Sequence, residues 1–244
     1  MIMKRIGLAG VSLCWAVLIN AQELAPLSST DCIIEPHIVV KISSPVEGIL
    51  EEVSLERGDT VKDWQPVGHL ESRVEKAAVD LARERDNFNK RKVDRNEELY
   101  AKQLISINEK DELETERFLS AMELRHAEAI LAQRSIASPI SGVVMERYIS
   151  PGEFVGSDPI LKVAQLNPLN VEVILPVEAY GRVTKGKKAT VFPQLPVGGE
   201  YQARVVIVDK VVDAASGTIG VRLELPNPGN RLPAGLKCRV EFGP

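Results

Sequence analysis

The chain of 244 residues has an ordinary globular composition, with 5% aromatic residues and a formal net charge of −4. A mild net negative charge gives none of the basic surface that nucleic-acid binding requires, so nucleic acid is excluded as an expected partner. The length allows one large domain or several small ones, and the pattern along the chain favours several small ones.

The first 21 residues are predicted to be a signal peptide. Lys4 and Arg5 form a basic start, residues 6–19 form an apolar run, and Ala21 is a small residue at the expected cleavage site. About fourteen apolar residues are too few to span a bilayer, which favours a removed signal over a retained anchor. The mature chain is therefore expected to be exported.

An internal repeat flanks a long charged segment in the middle of the chain. The sequence Ser-Pro-Val-Glu-Gly at 44–48 returns as Ser-Pro-Ile-Ser-Gly at 138–142, and Gly58 returns as Gly152 with the same offset. Each copy alternates β-branched runs with glycine and proline turns, which is typical of a small β unit. Each copy is too short to bury a core alone, so the two are expected to close on each other as halves of one domain. These halves are assigned to 38–71 and 136–166, after an N-terminal strand or linker at 22–37.

The charged segment between the copies is predicted to be a helical hairpin. Residues 71–138 contain neither glycine nor proline. Ser106, followed three residues later by Glu109, has the pattern of a capping box and indicates a new helix start. We therefore predict two antiparallel helices, about 73–102 and 107–134, each roughly 40–45 Å long.

This hairpin, assigned to 72–135, carries only a thin apolar seam. On the first arm, the residues expected to face the second arm share a heptad phase: Val74, Ala78, Leu81, Phe88 and Leu99. On the second arm, the facing row is expected to be Leu113, Leu124, Ala127 and Leu131. The other faces are almost entirely charged, so the hairpin should project into water or against a partner.

Three residues near the predicted tip form a candidate docking patch. Arg95, Leu99 and Ser106 share one phase and offer a basic group, an apolar side chain and a hydroxyl close to a helix start. Such a set could bind another pair of helices. The alternative is that Leu99 closes the seam and Ser106 only caps a helix.

Residues 167–244 form a second β region. Short alternating strands separated by glycine and proline turns predict a small antiparallel β-barrel. The expected fold class is therefore mainly β, with an inserted α-helical hairpin. Cys32 opens the first mature strand and Cys238 lies in the last one, both in an oxidising compartment after export. A disulfide between them is one hypothesis, and two free, buried thiols are the alternative.

The sequence carries no motif for catalysis or for a cofactor. The three histidines are scattered without a second ligand at metal spacing, and there is no phosphate loop, nucleophile elbow or Cys-x-x-Cys. We therefore predict a protein that is not an enzyme and needs neither a cofactor nor a metal. A lipoyl or biotinyl carrier is an alternative, but the turn between the halves has Glu71-Ser72-Arg73 where a carrier needs a lysine.

Taken together, the chain resembles the periplasmic adaptor proteins, or membrane fusion proteins, of Gram-negative efflux pumps of the HlyD/RND type. The half-motifs at 44–48 and 138–142 look like the family's split lipoyl domain, a barrel-sandwich hybrid, and 104–111 looks like its second-helix start. Arg95, Leu99 and Ser106 match the Arg-x3-Leu-x6-Ser pattern at the family's hairpin tip. The resemblance implies an elongated molecule whose three tip residues bind an outer-membrane TolC-type duct.

The resemblance also implies the other partners. They are an inner-membrane efflux transporter and further copies of the same chain in a ring, which in the family is a hexamer. Because the sequence ends at Pro244, where the barrel should end, the family's membrane-proximal domain is expected to be absent or truncated, which leaves the transporter class open. A structural envelope protein whose hairpin self-associates is the alternative function.

Overall fold

The structure, a computed structural model, describes residues 28–243, so the predicted signal peptide lies outside the described residues. Two long helices interrupt a series of strands within this range. The helices are α1 (Arg73–Ala101) and α2 (Ile107–Ala132). The strands are β1 (Ser28–Ile42), β2 (Gly48–Val53), β3 (Thr60–Val61), β4 (Pro66–Leu70), β5 (Ser135–Ala137), β6 (Gly142–Arg147), β7 (Phe154–Val155), β8 (Leu161–Pro176), β9 (Lys188–Pro193), β10 (Tyr201–Val208), β11 (Thr218–Leu225) and β12 (Leu236–Phe242).

The C-terminal β region closes into an antiparallel barrel. Its strands follow the order β1-β12-β9-β10-β11-β8, and β8 pairs back with β1, so the sheet has no free edge. Alternate side chains of each strand point inward, as period-two burial along β11 shows. The interior is apolar, with fully buried side chains from five of the strands: Ile34, Leu169, Val171, Val191, Leu223 and Val240. The prediction of a small barrel is confirmed.

The two copies of the repeat form one unit by pairing strands of one copy with strands of the other. β2 of the first copy pairs with β7 of the second, and β3 pairs with β6 in the reciprocal way. The equivalent backbone bonds are equal in length, since the Leu50 N–H donates to Glu153 O at 2.9 Å and the Val144 N–H donates to Asp59 O at 2.9 Å. The two halves therefore share one core, separate from that of the barrel, as the repeat predicted.

Two long strands join this barrel-sandwich unit to the barrel. β1 and β8 pair from Cys32–Val173 to Pro36–Leu169 in the barrel and from Ile38–Gln165 to Ile42–Leu161 in the sandwich. A shift of register between Pro36 and Ile38 marks the boundary. The sequence assigned 22–37 to a strand or linker before the domains, whereas its described part completes the barrel. The local sequence of 22–37 could not show this pairing, because the partner strands β8 and β12 lie far away in the chain.

The helical hairpin was predicted correctly in its extent but not in the face that α1 turns inward. Val74 and Leu81 on α1 are 73% and 75% exposed, and Phe88 is 51% exposed. The inward face of α1 is instead formed mainly by small and polar residues: Val79, Ala82, Asp86, Asn89, Val93 and Asn96. On α2, the predicted row of Leu113, Leu124, Ala127 and Leu131 is partly buried, as expected. The prediction for α1 was wrong because α1 turns mainly small and polar residues toward α2, while the leucines of α2 supply the larger apolar side chains of the seam.

Candidate functional site at the hairpin tip

The base of the hairpin is fixed to the sandwich by Arg134. Its Nη2 lies 2.6 Å from Glu75 Oε1 on α1, and its Nη1 donates to the backbone oxygen of Glu47 at 2.9 Å. The Arg134 backbone oxygen also accepts from the Leu70 N–H at 2.8 Å. Both charged side chains are largely buried, with 24% and 14% exposed. One residue therefore joins the start of α1, the chain leaving α2 and the first half of the sandwich.

A second ion pair at the base lies at the surface. Arg73 Nε donates to Glu71 Oε1 at 2.7 Å, and this hydrogen bond lowers the pKa of the Glu71 carboxyl. The Arg73 side chain is 89% exposed, so the pair adds little to stability. Ser72, between them, is buried at the start of α1. The turn where a carrier domain would need its lysine is thus occupied by the base of the hairpin.

Along the arms, polar contacts add to the thin apolar seam. Lys92 Nζ lies 2.8 Å from Glu116 Oε2, and Asn89 Nδ2 donates to the backbone oxygen of Glu116 at 3.4 Å. Closer to the base, Arg83 reaches Glu128 at 3.4 Å. Exposed ion pairs contribute only about 0–1 kcal/mol each, so the arms depend on their fixed base for their direction.

The tip turn has the hydrogen bonds of a Schellman motif. The Gln103 N–H donates to Tyr100 O at 2.8 Å, and the Leu104 N–H donates to Leu99 O at 2.9 Å. Gln103 has a φ of 59°, a left-handed conformation that glycine adopts most readily. Lys110 Nζ on α2 lies 4.6 Å from the centre of the Tyr100 ring and joins the two arms beside the turn.

Replacing Gln103 by glycine is expected to stabilise the tip by about 0.5–1 kcal/mol, because glycine has no Cβ to strain the left-handed turn. Chemical denaturation followed by the helical circular dichroism signal would measure this. Lys102→Gly is the matched control, since Lys102 is not left-handed, with φ −86°. We expect the control to lose stability, and a gain in both variants would contradict the explanation.

Each of the three predicted tip residues lies at this end of the hairpin. Ser106 is the N-cap of α2, where its Oγ accepts a hydrogen bond from the Glu109 N–H at 3.2 Å. Arg95 and Leu99 lie one turn apart near the end of α1, on one face of the helix. Arg95 is exposed and makes no ion pair among residues 28–243, and Leu99 is 37% exposed. The predicted helix start is confirmed, and the docking role of the patch stays a prediction.

The tip also exposes two apolar residues that the sequence interpretation did not single out. Leu104 is 67% exposed and Ile107 is 53% exposed, on either side of Ser106. Their signal in the sequence was the run Leu104-Ile105-Ser106-Ile107, in which only Ile105 is partly buried. Leu104 and Ile107 flank Ser106 in the chain, and the Leu104 N–H donates to the Leu99 backbone oxygen, so the three apolar residues belong to the same end of the hairpin. Such an arrangement suits recognition of another protein better than chemistry on a small molecule.

Within residues 28–243, no three His, Cys, Asp or Glu side chains gather closely enough to hold a metal ion. No helix in this range is both long enough and apolar enough to cross a membrane. The cleft between the arms has a volume of about 650 Å³, but it is open along the hairpin and lined by side chains of both charges, including Asp86, Lys90 and Arg117.

Two family descriptions match the chain in sequence. A CzcB-like barrel-sandwich hybrid domain matches residues 38–165, a range that includes the whole hairpin, and a CusB-like β-barrel domain matches residues 169–244. The chain belongs to the periplasmic adaptor, or membrane fusion protein, family of the HlyD/RND efflux type. Members of this adaptor family are non-enzymatic linkers.

Two of the curated proteins similar to this adaptor come from Pseudomonas species. The probable efflux pump periplasmic linker TtgA of Pseudomonas putida is 23% identical over 217 residues, which cover 81% of this chain and 56% of TtgA. The multidrug resistance protein MexA of Pseudomonas aeruginosa is 23% identical over 220 residues, covering 84% of this chain and 57% of MexA. The adaptor thus spans slightly more than half the length of these relatives.

A solved structure agrees with the adaptor fold. A crystal structure of a MacA–MexA chimera, which contains the α-hairpin of Pseudomonas aeruginosa MexA, matches with a TM-score of 0.74. The match covers 88% of this chain and 80% of the chimera at 20% sequence identity. At that identity the likeness concerns the fold, including the hairpin inserted into the sandwich.

Proposed function

We propose that this protein is the periplasmic adaptor of a tripartite efflux or secretion pump. It links an inner-membrane transporter to an outer-membrane TolC-type duct and forms part of the transport conduit, in the periplasm of a Gram-negative bacterium. The observation that carries this proposal is a fixed hairpin with an apolar and basic tip. The 29 residues of α1 hold that tip roughly 44 Å from the sandwich.

In this proposal the tip binds the duct through Arg95, Leu99 and Ser106. Leu99 supplies apolar contact area, and Arg95 supplies a cation that no carboxylate of the described residues neutralises. The Ser106 hydroxyl uses its oxygen as a helix cap and keeps its proton for a partner. Arginine is enriched at protein–protein interfaces, which supports Arg95 as the residue of this patch with the largest contribution.

The test is crosslinking in cells from a photoreactive residue placed at Ser106. This probe leaves both cysteines in place, and mass spectrometry would identify the captured protein. Glu84, an exposed residue midway along α1, serves as the matched control position. Capture of an outer-membrane duct protein from position 106 and not from position 84 supports the proposal. Capture of only the same chain from position 106 would contradict it.

Charge reversal at Arg95 gives a second test of docking. Arg95→Asp is expected to reduce capture of the duct from position 106 by roughly tenfold, since central arginines often contribute 1 kcal/mol or more to an interface. Because Arg95 is exposed and makes no ion pair with residues 28–243, the helical circular dichroism signal and unfolding midpoint should stay unchanged. Full capture by a folded Arg95→Asp variant would remove this residue from the docking patch.

The alternative function, a structural envelope protein that self-associates, has one observation in its favour. Val74, Leu81 and Phe88 recur every seven residues on the outer surface of α1, where they are 51–75% exposed. The same row suits lateral contact between copies in a ring, which the family implies to be a hexamer. Deleting the gene separates the two functions, because an adaptor should lose efflux, whereas unchanged tolerance of drugs, metals and solvents favours the structural function.

A further inference from the structure

The end of the barrel that points away from the sandwich has a distinct surface, which we call the barrel end. It consists of the loop before β9, at 177–187, and the turn between β10 and β11, at 209–217. The pairing of Thr218 with Pro176 and of Lys188 with Arg204 brings these segments to the same end. β1 also begins here, because Ser28 pairs with Glu241 near the end of β12.

The barrel end exposes apolar side chains that nothing in the described chain covers. Val211 is 81% exposed, Tyr180 is 57% exposed, and Ile207 is 44% exposed. A shallow groove of about 470 Å³ runs between the loop and the end of β10, lined by Tyr180, Val183 and residues 206–208. Exposed apolar residues at a loop tip are costly in water unless a partner covers them.

Cations surround this apolar surface. The two segments of the barrel end, 177–187 and 209–217, contain four basic residues and three acidic ones, a net charge of +1 on a chain whose total is −4. Lys185 and Lys210 flank the groove, and neither makes an ion pair within residues 28–243. Positively charged and exposed apolar side chains therefore occur together at one end of the barrel.

The three carboxylates at the barrel end do not cancel this charge. Asp213 accepts hydrogen bonds from the Ala215 and Ser216 N–H groups at 2.8 and 3.4 Å, which lower its pKa and hold it inside the turn. The Asp209 carboxylate lies against Gly220, and Glu178 belongs to the short helix after β8. None of the three pairs with Lys185 or Lys210 in the described chain.

We propose that the barrel end contacts the surface of an anionic lipid bilayer. Lysines on the rim would bind lipid phosphates, while Val211 and Tyr180 enter the boundary between headgroups and acyl chains. The inference does not depend on the proposed adaptor function, since loss of duct docking at the opposite end of the molecule would leave it unchanged.

Vesicle binding by the protein as purified from the periplasm of an expressing cell tests this inference. We expect it to bind vesicles that contain phosphatidylglycerol, to bind vesicles of phosphatidylcholine alone at least roughly tenfold more weakly, and to dissociate as salt is raised. Lys185→Glu/Lys210→Glu and, separately, Val211→Asp should each weaken binding to the anionic vesicles. Intact mass, measured on every sample, ensures that all variants carry the same N-terminus.

The chain offers a matched control at the other end of the barrel. Leu195 lies in the loop between β9 and β10, on the sandwich side, and is 81% exposed, as Val211 is. Leu195→Asp is therefore expected to keep full vesicle binding. Equal binding by the wild type and by the barrel-end variants would overturn the inference. Loss of efflux in those variants without any vesicle binding by the wild type would also overturn it, and would assign the surface to a protein partner.

Discussion

Replacing Arg134 by methionine is expected to lower the free energy of unfolding by about 2–4 kcal/mol, because it leaves Glu75 largely buried without its cation. The Glu47 backbone oxygen loses its donor in the same substitution. Methionine keeps most of the side-chain volume, so the loss measures the charge and the hydrogen bonds. Chemical denaturation followed by the helical circular dichroism signal is the measurement.

Arg83→Met is the matched control for this substitution. Arg83 also joins the two arms, through Glu128 at 3.4 Å, but its side chain is 48% exposed. Its removal should therefore cost no more than about 0.5–1 kcal/mol. Similar losses in both variants would show that Arg134 is only one more surface contact and does not fix the base of the hairpin.

The direction of the hairpin should also depend on Arg134. Polar contacts between the arms hold the arms to each other, whereas Arg134 binds both Glu75 on α1 and the backbone oxygen of Glu47 in the sandwich. In Arg134→Met the tip residues stay unchanged, but the hairpin is freer to swing. We expect less duct capture from a probe at position 106, although Arg95 and Leu99 are intact.

The repeat explains why so much of the fold could be predicted. Ser44 and Ser138 make the same local turn, each donating its hydroxyl to a backbone oxygen two residues later, at 2.5 and 2.7 Å. Such bonds are local and therefore leave a pattern in the sequence. The pairing of the two halves into one domain could be predicted from the repeat, because neither half could bury a core alone.

The glycines of the repeat show where this reasoning stops. A Cβ on Gly142 would lie 2.3 Å from the backbone oxygen of Ala164, whereas a Cβ on Gly48 would lie 2.7 Å from Arg134 Nη1. The sequence predicted two equivalent glycines, but one makes room for a neighbouring strand and the other for the side chain that holds the hairpin. Only the tertiary structure separates these two reasons.

The sequence also failed to predict which face of α1 lies inward, and the reason is different. A heptad phase assigns large apolar residues to the seam, and Leu81 and Phe88 fitted that rule. In this hairpin small residues such as Ala82 face inward, and Leu81 is left 75% exposed. The tip residues were predictable because they lie beside a cap with its own sequence pattern, and Leu104 and Ile107 were missed because they are not part of that pattern.

The disulfide between Cys32 and Cys238 is expected to contribute about 2–5 kcal/mol to the stability of the barrel, near the upper end for a single bond. In the structure their sulfur atoms are bonded, with Cα atoms 5.0 Å apart at directly paired positions of β1 and β12. The bond closes a loop with a sequence separation of 206, so it restricts the unfolded chain strongly. The bond joins β1, the first strand of the barrel, to β12, the last. Without it, these two strands pair across nearly the whole length of the chain.

Two measurements test this bond. Alkylation of the denatured protein without reductant, read out by peptide mass, should leave Cys32 and Cys238 unmodified, and modification of both would show free thiols instead. Reductant should then lower the unfolding midpoint of the wild type and leave Cys32→Ala/Cys238→Ala unaffected. Both cysteines are buried, with 3% and 6% exposed, so reduction should require opening of the barrel. The folded protein is therefore expected to keep the bond in mild reductant and to lose it only when β1 separates from β12.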